Sequence, residues 1–341
     1  MVRVIPIASG KGGVGKSLIA VNLALALSAH QRTTILADMD LGSATQHLLL
    51  GLGMSGPKLG MGELVNGTES QIENLVIPTE YKRLHFIPGD GMLPGTSNVT
   101  FEQRQEILKQ LRTLVADYVL LDLGAGSGYT AVDFFLSNYR GLVIVRPEVT
   151  SVMSAYSFLK TVLFRLLYLI FPPGSNERKI ILKFAQERIE GAKLSLIDLI
   201  SRLSGYQSAS GDQAHEEMKK MHPGIIFNMM ETPSDLEWKN RFLDIVKRKL
   251  GLNLELLGTI PFDPEAQASV GRRRPLLADN PESPFCKALA PIARRWAQFG
   301  GIMAYSQSPK LYPEDEHVPD IAAVASPQQN NDDTDAASKK A

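Results

Sequence analysis

The stretch VIPIASGKGGVGKSLIAVNLALAL, Val4 to Leu27, passes from an apolar, β-branched run through a glycine-rich turn into an alanine- and leucine-rich run. Its middle satisfies the spacing G-x-x-x-x-G-K-[ST] at Gly10, Gly15, Lys16 and Ser17. A strand before such a loop and a helix after it form the context in which this spacing binds phosphate. From Gly10 through Gly12, Gly13, Val14 and Gly15, the small residues let backbone N–H groups close around phosphate oxygens. The helix that opens at Lys16 adds partial positive charge at the same point. On this chemistry Lys16 reaches β- and γ-phosphates, and Ser17 places its hydroxyl on Mg²⁺. Lys11 is one cation more than the spacing requires. An ordinary glycine turn is the alternative, and the complete motif in its strand–helix context argues against it.

The rest of the chain fits a large α/β protein. Its 341 residues are 44% hydrophobic, enough for a sizeable core. Lys+Arg and Asp+Glu are both 36, so the net charge is zero, which argues against a surface built for nucleic acid. The single cysteine, Cys286, excludes an intramolecular disulfide framework or a cysteine metal cluster within one chain. The six histidines show no ligand spacing, so no zinc site is expected. No apolar segment of signal type follows Arg3, and the apolar run near Val162–Phe171 is broken by Arg165 and too short to span a bilayer. These features predict a cytoplasmic protein.

Strand-like runs recur at Val2–Ala8, Thr33–Ala37, Leu84–Ile87, Tyr118–Leu121, Leu142–Val145, Gly224–Phe227 and Leu254–Ile260. Helical patterns lie between most of them, clearest at Lys16–Ser28, Phe101–Leu114, Ser151–Leu169 and Ser234–Leu250. This alternation predicts βαβ units and a mostly parallel central sheet flanked by helices. Two segments break it. Residues 171–222 read as a helical insertion on one face of the sheet, with apolar Ile181, Phe184, Ile189, Leu194, Ile197 and Ile200. Residues 306–341 are polar and acidic and read as a disordered tail after a domain spanning 1–305.

Two acidic strand ends supply the remaining chemistry. In TTILADMDLGSATQHLLLG (Thr33–Gly51), Asp38 and Asp40 lie two apart, so an extended chain puts both on one face. Capping of the next helix is the alternative use for them. In DYVLLDLGAGSG (Asp117–Gly128), an apolar strand ends at Asp122, where a carboxylate can hold Mg²⁺ directly or through water.

GKGGVGKS resembles the deviant Walker A box of the MinD/ParA family of P-loop ATPases, and the chain is most similar to its FlhG/FleN branch. The resemblance implies a nucleotide-sandwiched homodimer in which Lys11 reaches across to the partner's phosphates. It implies that Asp40 orients or activates the attacking water and that Asp38 supports the lysines and the metal shell. Most family boxes carry threonine where this chain has Leu18, so a hydroxyl contact to the α-phosphate is missing here. Leu123-Gly124-Ala125-Gly126 matches the FlhG form of switch II, in which the Gly126 amide senses the γ-phosphate. Downstream, VIVRPEVTSVMSAYSFLK and GIIFNMM are similar to family segments, the second ending at Asn228, where the family reads the adenine edge. LLGTIPFDPEAQASVGRRRPLL resembles the last strand and its following loop, with Pro261 to Asp263 bordering the base. The resemblance covers about residues 1–170 and 223–298.

What it implies is an ATPase switch, dimeric with ATP, that positions or counts a cellular structure such as flagella or the division site. A DNA-partitioning ATPase and a metabolic ATP-dependent enzyme are the rival readings. An unknown protein partner is expected, with the insertion as a candidate surface. Phe285, Ala288, Leu289, Ile292, Ala293, Trp296 and Phe299 form an apolar stripe at helical spacing. It could anchor the chain at the inner face of the membrane; packing on the sheet is the favoured reading, since the acidic tail would be repelled by an anionic leaflet. The basic run Arg272–Arg274 could touch DNA phosphates, and a solvated loop is the favoured reading there.

Overall fold

The computed structural model describes residues 2–41, 44–53, 59–89, 99–189, 195–299 and 308–315, with backbone alone at 188–189 and 298–299. Within them lie eight strands: β1 (Arg3–Ala8), β2 (Thr34–Met39), β3 (Ile77–Pro78), β4 (Leu84–Ile87), β5 (Tyr118–Leu123), β6 (Leu142–Val145), β7 (Gly224–Met230) and β8 (Glu255–Pro261). They form one sheet in the order β3-β4-β2-β5-β1-β6-β7-β8, parallel throughout except for the β3–β4 pair. The central strands β2 and β5 are buried along their whole length. That explains their unbroken apolar runs: a parallel sheet covered on both faces needs apolar side chains on both.

Each face carries its own core. The helix Lys16–Ala29 packs on one face and is buried nearly all round, because the helix Pro284–Phe299 covers its other side. Phe285, Leu289, Ile292, Ala293 and Trp296 of the predicted apolar stripe are all 3% exposed or less, turned onto the sheet rather than toward solvent. The Phe299 side chain lies outside the described residues. The Tyr118 hydroxyl donates to the Trp296 carbonyl at 2.6 Å and fixes the end of this helix against β5. Helices Phe101–Leu111, Tyr129–Phe135, Val149–Leu169 and Asp235–Leu250 cover the opposite face. Val149–Leu169 is long and apolar enough to cross a membrane, yet 78% of its apolar window is buried inside the fold, as in a soluble core helix.

Within 171–222, the stretch read as a helical insertion, the described residues form helices Asn176–Ile189, Leu196–Tyr206 and Ser208–Lys220, and 190–194 lie outside the described residues. Only part of the apolar set noted in the sequence faces inward. Ile181 and Phe184 are fully buried and Ile200 packs partly buried on the core, but Ile197 is 54% exposed, while Leu196, Leu199 and Leu203 are buried. Ser195 and Asp198 form a capping box that starts this helix at Leu196, and packing against the neighbouring helices takes the leucine face. Ile189 and Leu194 lie outside the residues whose side chains are described. The helix Pro264–Arg272 occupies a stretch read as loop; Asp263 caps its first turn and Pro264 stands at its first position.

Residues 308–315, inside the stretch read as tail, dock on the insertion side of the fold; 306–307 and 316–341 lie outside the described residues. The Tyr312 N–H donates to the Leu169 carbonyl at 2.7 Å. Beneath this strap sits a buried ionic group. Arg165 donates both of its forks to Asp133, at 2.7 and 2.8 Å, and Arg104 approaches the same carboxylate at 2.9 Å. Asp133 and Arg165 are fully buried and Arg104 is nearly so. Removing the shared anion would leave two guanidiniums with one partly exposed partner, Glu314. Asp133→Ala is therefore expected to lower unfolding stability by about 3–5 kcal/mol, read as a fall in the urea midpoint, whereas Arg241→Ala in an exposed helical ion pair changes it by about 0.5 kcal/mol or less.

Candidate nucleotide site

Parallel pairing puts every candidate residue at one edge of the sheet. The carboxyl ends of β1, β2, β5, β7 and β8 deliver the glycine loop, Asp38–Asp40, Asp122, Asn228 and Pro261 side by side. Ligands of open α/β sheets bind at this edge. Register then makes the carboxylate pair, because Asp38 of β2 stands directly opposite Asp122 of β5. Both are about 1% exposed.

The glycine loop is shaped by close approach. A Cβ on Gly10 would lie 2.2 Å from the Ser154 backbone, so the loop can rest on the helix Val149–Leu169 only with glycine there. Gly15 has φ = 83° and caps the helix Lys16–Ala29; a Cβ there would strike the Asn228 amide nitrogen at 2.3 Å. Around this loop the two lysines face different worlds. Lys16 is 7% exposed, and its ammonium donates to Asp122 at 2.5 Å. Lys11 stands on the rim with its side chain 36% exposed, bonded to Glu148 at 2.8 Å and to the Thr150 hydroxyl at 3.0 Å. The hydrogen bond from Lys11 holds the Glu148 carboxyl below its ordinary range.

Asp38 accepts the backbone N–H groups of Asp40, at 3.2 Å, and Gln46, at 3.1 Å. It thus does what the capping alternative proposed, and it also faces Asp122. Burial first, and the Asp122 charge second, push its carboxyl up to about 7. Two buried carboxylates share one buried lysine, an imbalance that a divalent cation relieves. Ser17, Asp38 and Asp122 are hard oxygen donors and fit Mg²⁺, which takes few protein ligands and completes its shell with phosphate and water.

Gln46 belongs to this site and carries no motif. It is 1% exposed, and its amide nitrogen donates to Asp122 at 2.6 Å and to the Ser17 carbonyl at 3.0 Å. Its amide oxygen has no partner among the described residues. Nothing in the sequence marks a glutamine at the start of a four-residue helix. The Gly126 N–H donates to the Ser9 carbonyl at 3.1 Å, so sensing a γ-phosphate would require that bond to open.

On the other side of the loop lies a mostly apolar cleft lined by Gly15, Leu18, Asn228, Met229, Pro261 and Phe262. Leu18, at the position where the resembled boxes mostly carry threonine, is part of its apolar wall. The Asn228 amide nitrogen donates one of its two hydrogens to the Val14 carbonyl at 2.8 Å, which holds the side chain against the glycine loop. The Asp263 carboxylate borders the cleft but is committed to the N–H groups of Glu265 and Phe285, at 3.0 and 3.1 Å. Phe262, 43% exposed, presents an aromatic ring at this cleft, and sequence reasoning placed it only within the segment Pro261 to Asp263.

The raised carboxyl of Asp38 has a measurable consequence. Its ordinary value is 3.8 and the folded value about 7, so between them the folded chain holds a proton that the unfolded chain has released. Stability of the nucleotide-free protein therefore falls as pH rises through that window and levels off above it. Asp38→Asn is expected to flatten the slope of unfolding free energy between about pH 5 and 7.5; an unchanged slope would place the titration elsewhere.

The family model for the CobQ/CobB/MinD/ParA nucleotide binding domain matches residues 5–276. The antiactivator FleN of Pseudomonas aeruginosa is 25% identical over 299 residues, 86% of this chain and 86% of FleN. The septum site-determining protein MinD of Synechocystis is 30% identical over 160 residues, 46% of this chain and 57% of that one. Among solved structures, MinD of Pyrococcus horikoshii complexed with Mg-ADP superposes with a TM-score of 0.60 at 20% identity, over 89% of this chain and 100% of that one. A ParA family ATPase from Chlorobium tepidum gives 0.56 at 18% identity, over 87% and 97%. The sheet order, the glycine loop and the match across most of its length make this chain a member of the CobQ/CobB/MinD/ParA nucleotide-binding family.

Proposed function

We propose that the protein is a Mg²⁺-dependent ATPase whose ATP state is a homodimer, a cytoplasmic switch of the FleN and MinD kind that regulates where or how many of a cellular structure are built. The observation that carries this reading is the division of labour between the two loop lysines. Lys16 points into the fold at Asp122, while Lys11 points out at the rim. Mg²⁺ would neutralise phosphate charge and complete the donor set of Ser17 and Asp122. Lys16 would then exchange Asp122 for the β- and γ-phosphates, keeping both buried charges compensated. Asp40 is only half-buried and packs against Gly124 on the same groove, a position from which a carboxylate can orient an attacking water. Asn228, Pro261 and Phe262 supply the base side.

Lys11 is held by a half-exposed pair, which is worth little and is readily exchanged for a stronger anion. A phosphate presented by a second subunit is such an anion, and a cation delivered in trans stabilises transition-state charge. A protein partner on the insertion, or through an acidic segment, accords with a switch. DNA is less favoured because Arg272 is already paired with Glu265 and Asp279, at 2.9 and 2.5 Å. Membrane anchoring by the helix Pro284–Phe299 is less favoured because its apolar face is covered.

A mixing experiment tests the trans role. Lys11→Ala and Asp40→Ala are each expected to bind an ATP analogue yet lose most phosphate release. In a mixed dimer, the Lys11→Ala chain keeps its own Asp40 and receives Lys11 from its partner. Equal amounts mixed with ATP should therefore recover activity at up to about half of the mixed-dimer sites, by the logic of an arginine finger. No recovery, with mixed dimers demonstrated by mass photometry, would count against Lys11 acting across the interface.

A further inference from the structure

Three arginines meet under the strap formed by residues 308–315. Arg165 and Arg104 share Asp133, and Arg178 lies beyond them on the first helix of the insertion. All three are buried, with side chains 0%, 6% and 1% exposed. The cradle is held together largely by bonds of its own. Arg165 donates to Asp133, Arg178 donates to the Tyr168 and Phe171 carbonyls at 3.0 and 2.9 Å, and Arg104 donates to the Val99 carbonyl at 2.5 Å. Arg165 still has one terminal nitrogen without a hydrogen-bond partner among the described residues.

The strap fits this cradle by charge. Three guanidiniums against one internal carboxylate leave an excess of two positive charges, and the strap brings two carboxylates, Glu314 and Asp315. Glu314 bonds Arg165 and lies 3.5 Å from Arg104. Asp315 pairs with Arg178 at 3.2 Å, accepts from the Tyr168 hydroxyl and takes the Gly174 N–H at 2.8 Å. The Pro313 carbonyl accepts from Arg178 at 2.8 Å, and Leu311 packs against the adjoining core.

Burial is unequal between the two sides. The arginines are inside, but Tyr312 is 44% exposed and the Glu314 and Asp315 side chains are 23% and 28% exposed. A built, positively charged seat thus holds a segment that is partly in water and engages the arginines through its two carboxylates, beside the buried Pro309 and the packed Leu311. We propose that the Arg104–Arg165–Arg178 cradle is a binding site for an acidic peptide segment, filled in this state by the chain's own residues 311–315 as a displaceable strap. The seat adjoins the catalytic edge. The Arg165 guanidinium lies 4.4 Å from the Tyr129 ring, and Tyr129 and Arg104 line the same groove as Asp40 and Gly124. An acidic segment of another chain that displaced the strap would be felt there.

The test uses the full chain carrying Glu314→Gln with Asp315→Asn, and a fluorescent peptide with the sequence of residues 309–315, PKLYPED. The variant strap no longer competes, so the variant is expected to bind the peptide at least about tenfold more tightly than the unmodified chain does. A peptide with glutamine and asparagine in place of its two acids should bind about tenfold more weakly or not at all. Equal binding to both chains, or to neither while the variant keeps its melting temperature, overturns the proposal. Hydrogen exchange on the unmodified chain decides the matter even if the variant fails to fold. The Tyr312 amide should exchange faster in about 1 M salt, where charge attraction reaches only about 3 Å, while the Ile226 amide in β7 is unaffected. A Tyr312 amide as slow as Ile226 in both buffers would make the strap a permanent part of the fold and sink the idea.

Discussion

The organisation of the molecule depends on one constraint: charge buried at the carboxyl edge of a parallel sheet must be compensated. Lys16, Asp122 and Asp38 are all nearly inaccessible to water, and unpaired charge in such a place is costly. Without nucleotide the chain settles this internally. Lys16 pairs with Asp122, Gln46 holds the other Asp122 oxygen, and Asp38 moves toward its protonated form while accepting two backbone N–H groups. The arrangement holds two buried carboxylates against one buried lysine, an imbalance that a divalent cation would relieve.

The two cores make that edge rigid enough to matter. On one face, the helix behind the glycine loop is clamped between the sheet and the helix Pro284–Phe299. On the other, the glycine loop lies directly on the helix Val149–Leu169, at a distance that excludes any side chain at Gly10. The helix that supports the loop also leads into the insertion and carries Arg165 under the strap. The groove beside Asp40 and the cradle beneath the strap therefore share a wall, formed by Arg104 and the helix Tyr129–Phe135. That shared wall would give an acidic segment seated in the cradle a physical route to the groove.

In the insertion, the sequence marks which residues are apolar but not which of them the core takes. On the helix Leu196–Tyr206, Leu196, Leu199 and Leu203 are buried and Ile197 is left half in solvent, a choice made by packing against neighbouring helices. Residues 308–315 differ from the reading of the stretch as a tail: their composition is that of a solvated segment, and composition does not register buried arginines more than a hundred residues away that supply partners for Glu314 and Asp315.

The sequence by itself determined the class of the fold, the phosphate loop and the acidic strand ends. These are local properties: β-branched runs, the spacing of glycine and lysine, and an aspartate closing an apolar run act over a few residues. Tertiary structure alone decided how those parts meet. Register set Asp38 opposite Asp122; packing brought Asn228 against the loop, where its amide nitrogen donates to the Val14 carbonyl; and helix capping consumed the Asp263 carboxylate. Gln46 entered the site without a motif, and Glu314 and Asp315 found their arginines across the fold. The reason is physical: a buried polar group must find its partner wherever the chain brings one near, and that distance is fixed by packing rather than by sequence separation.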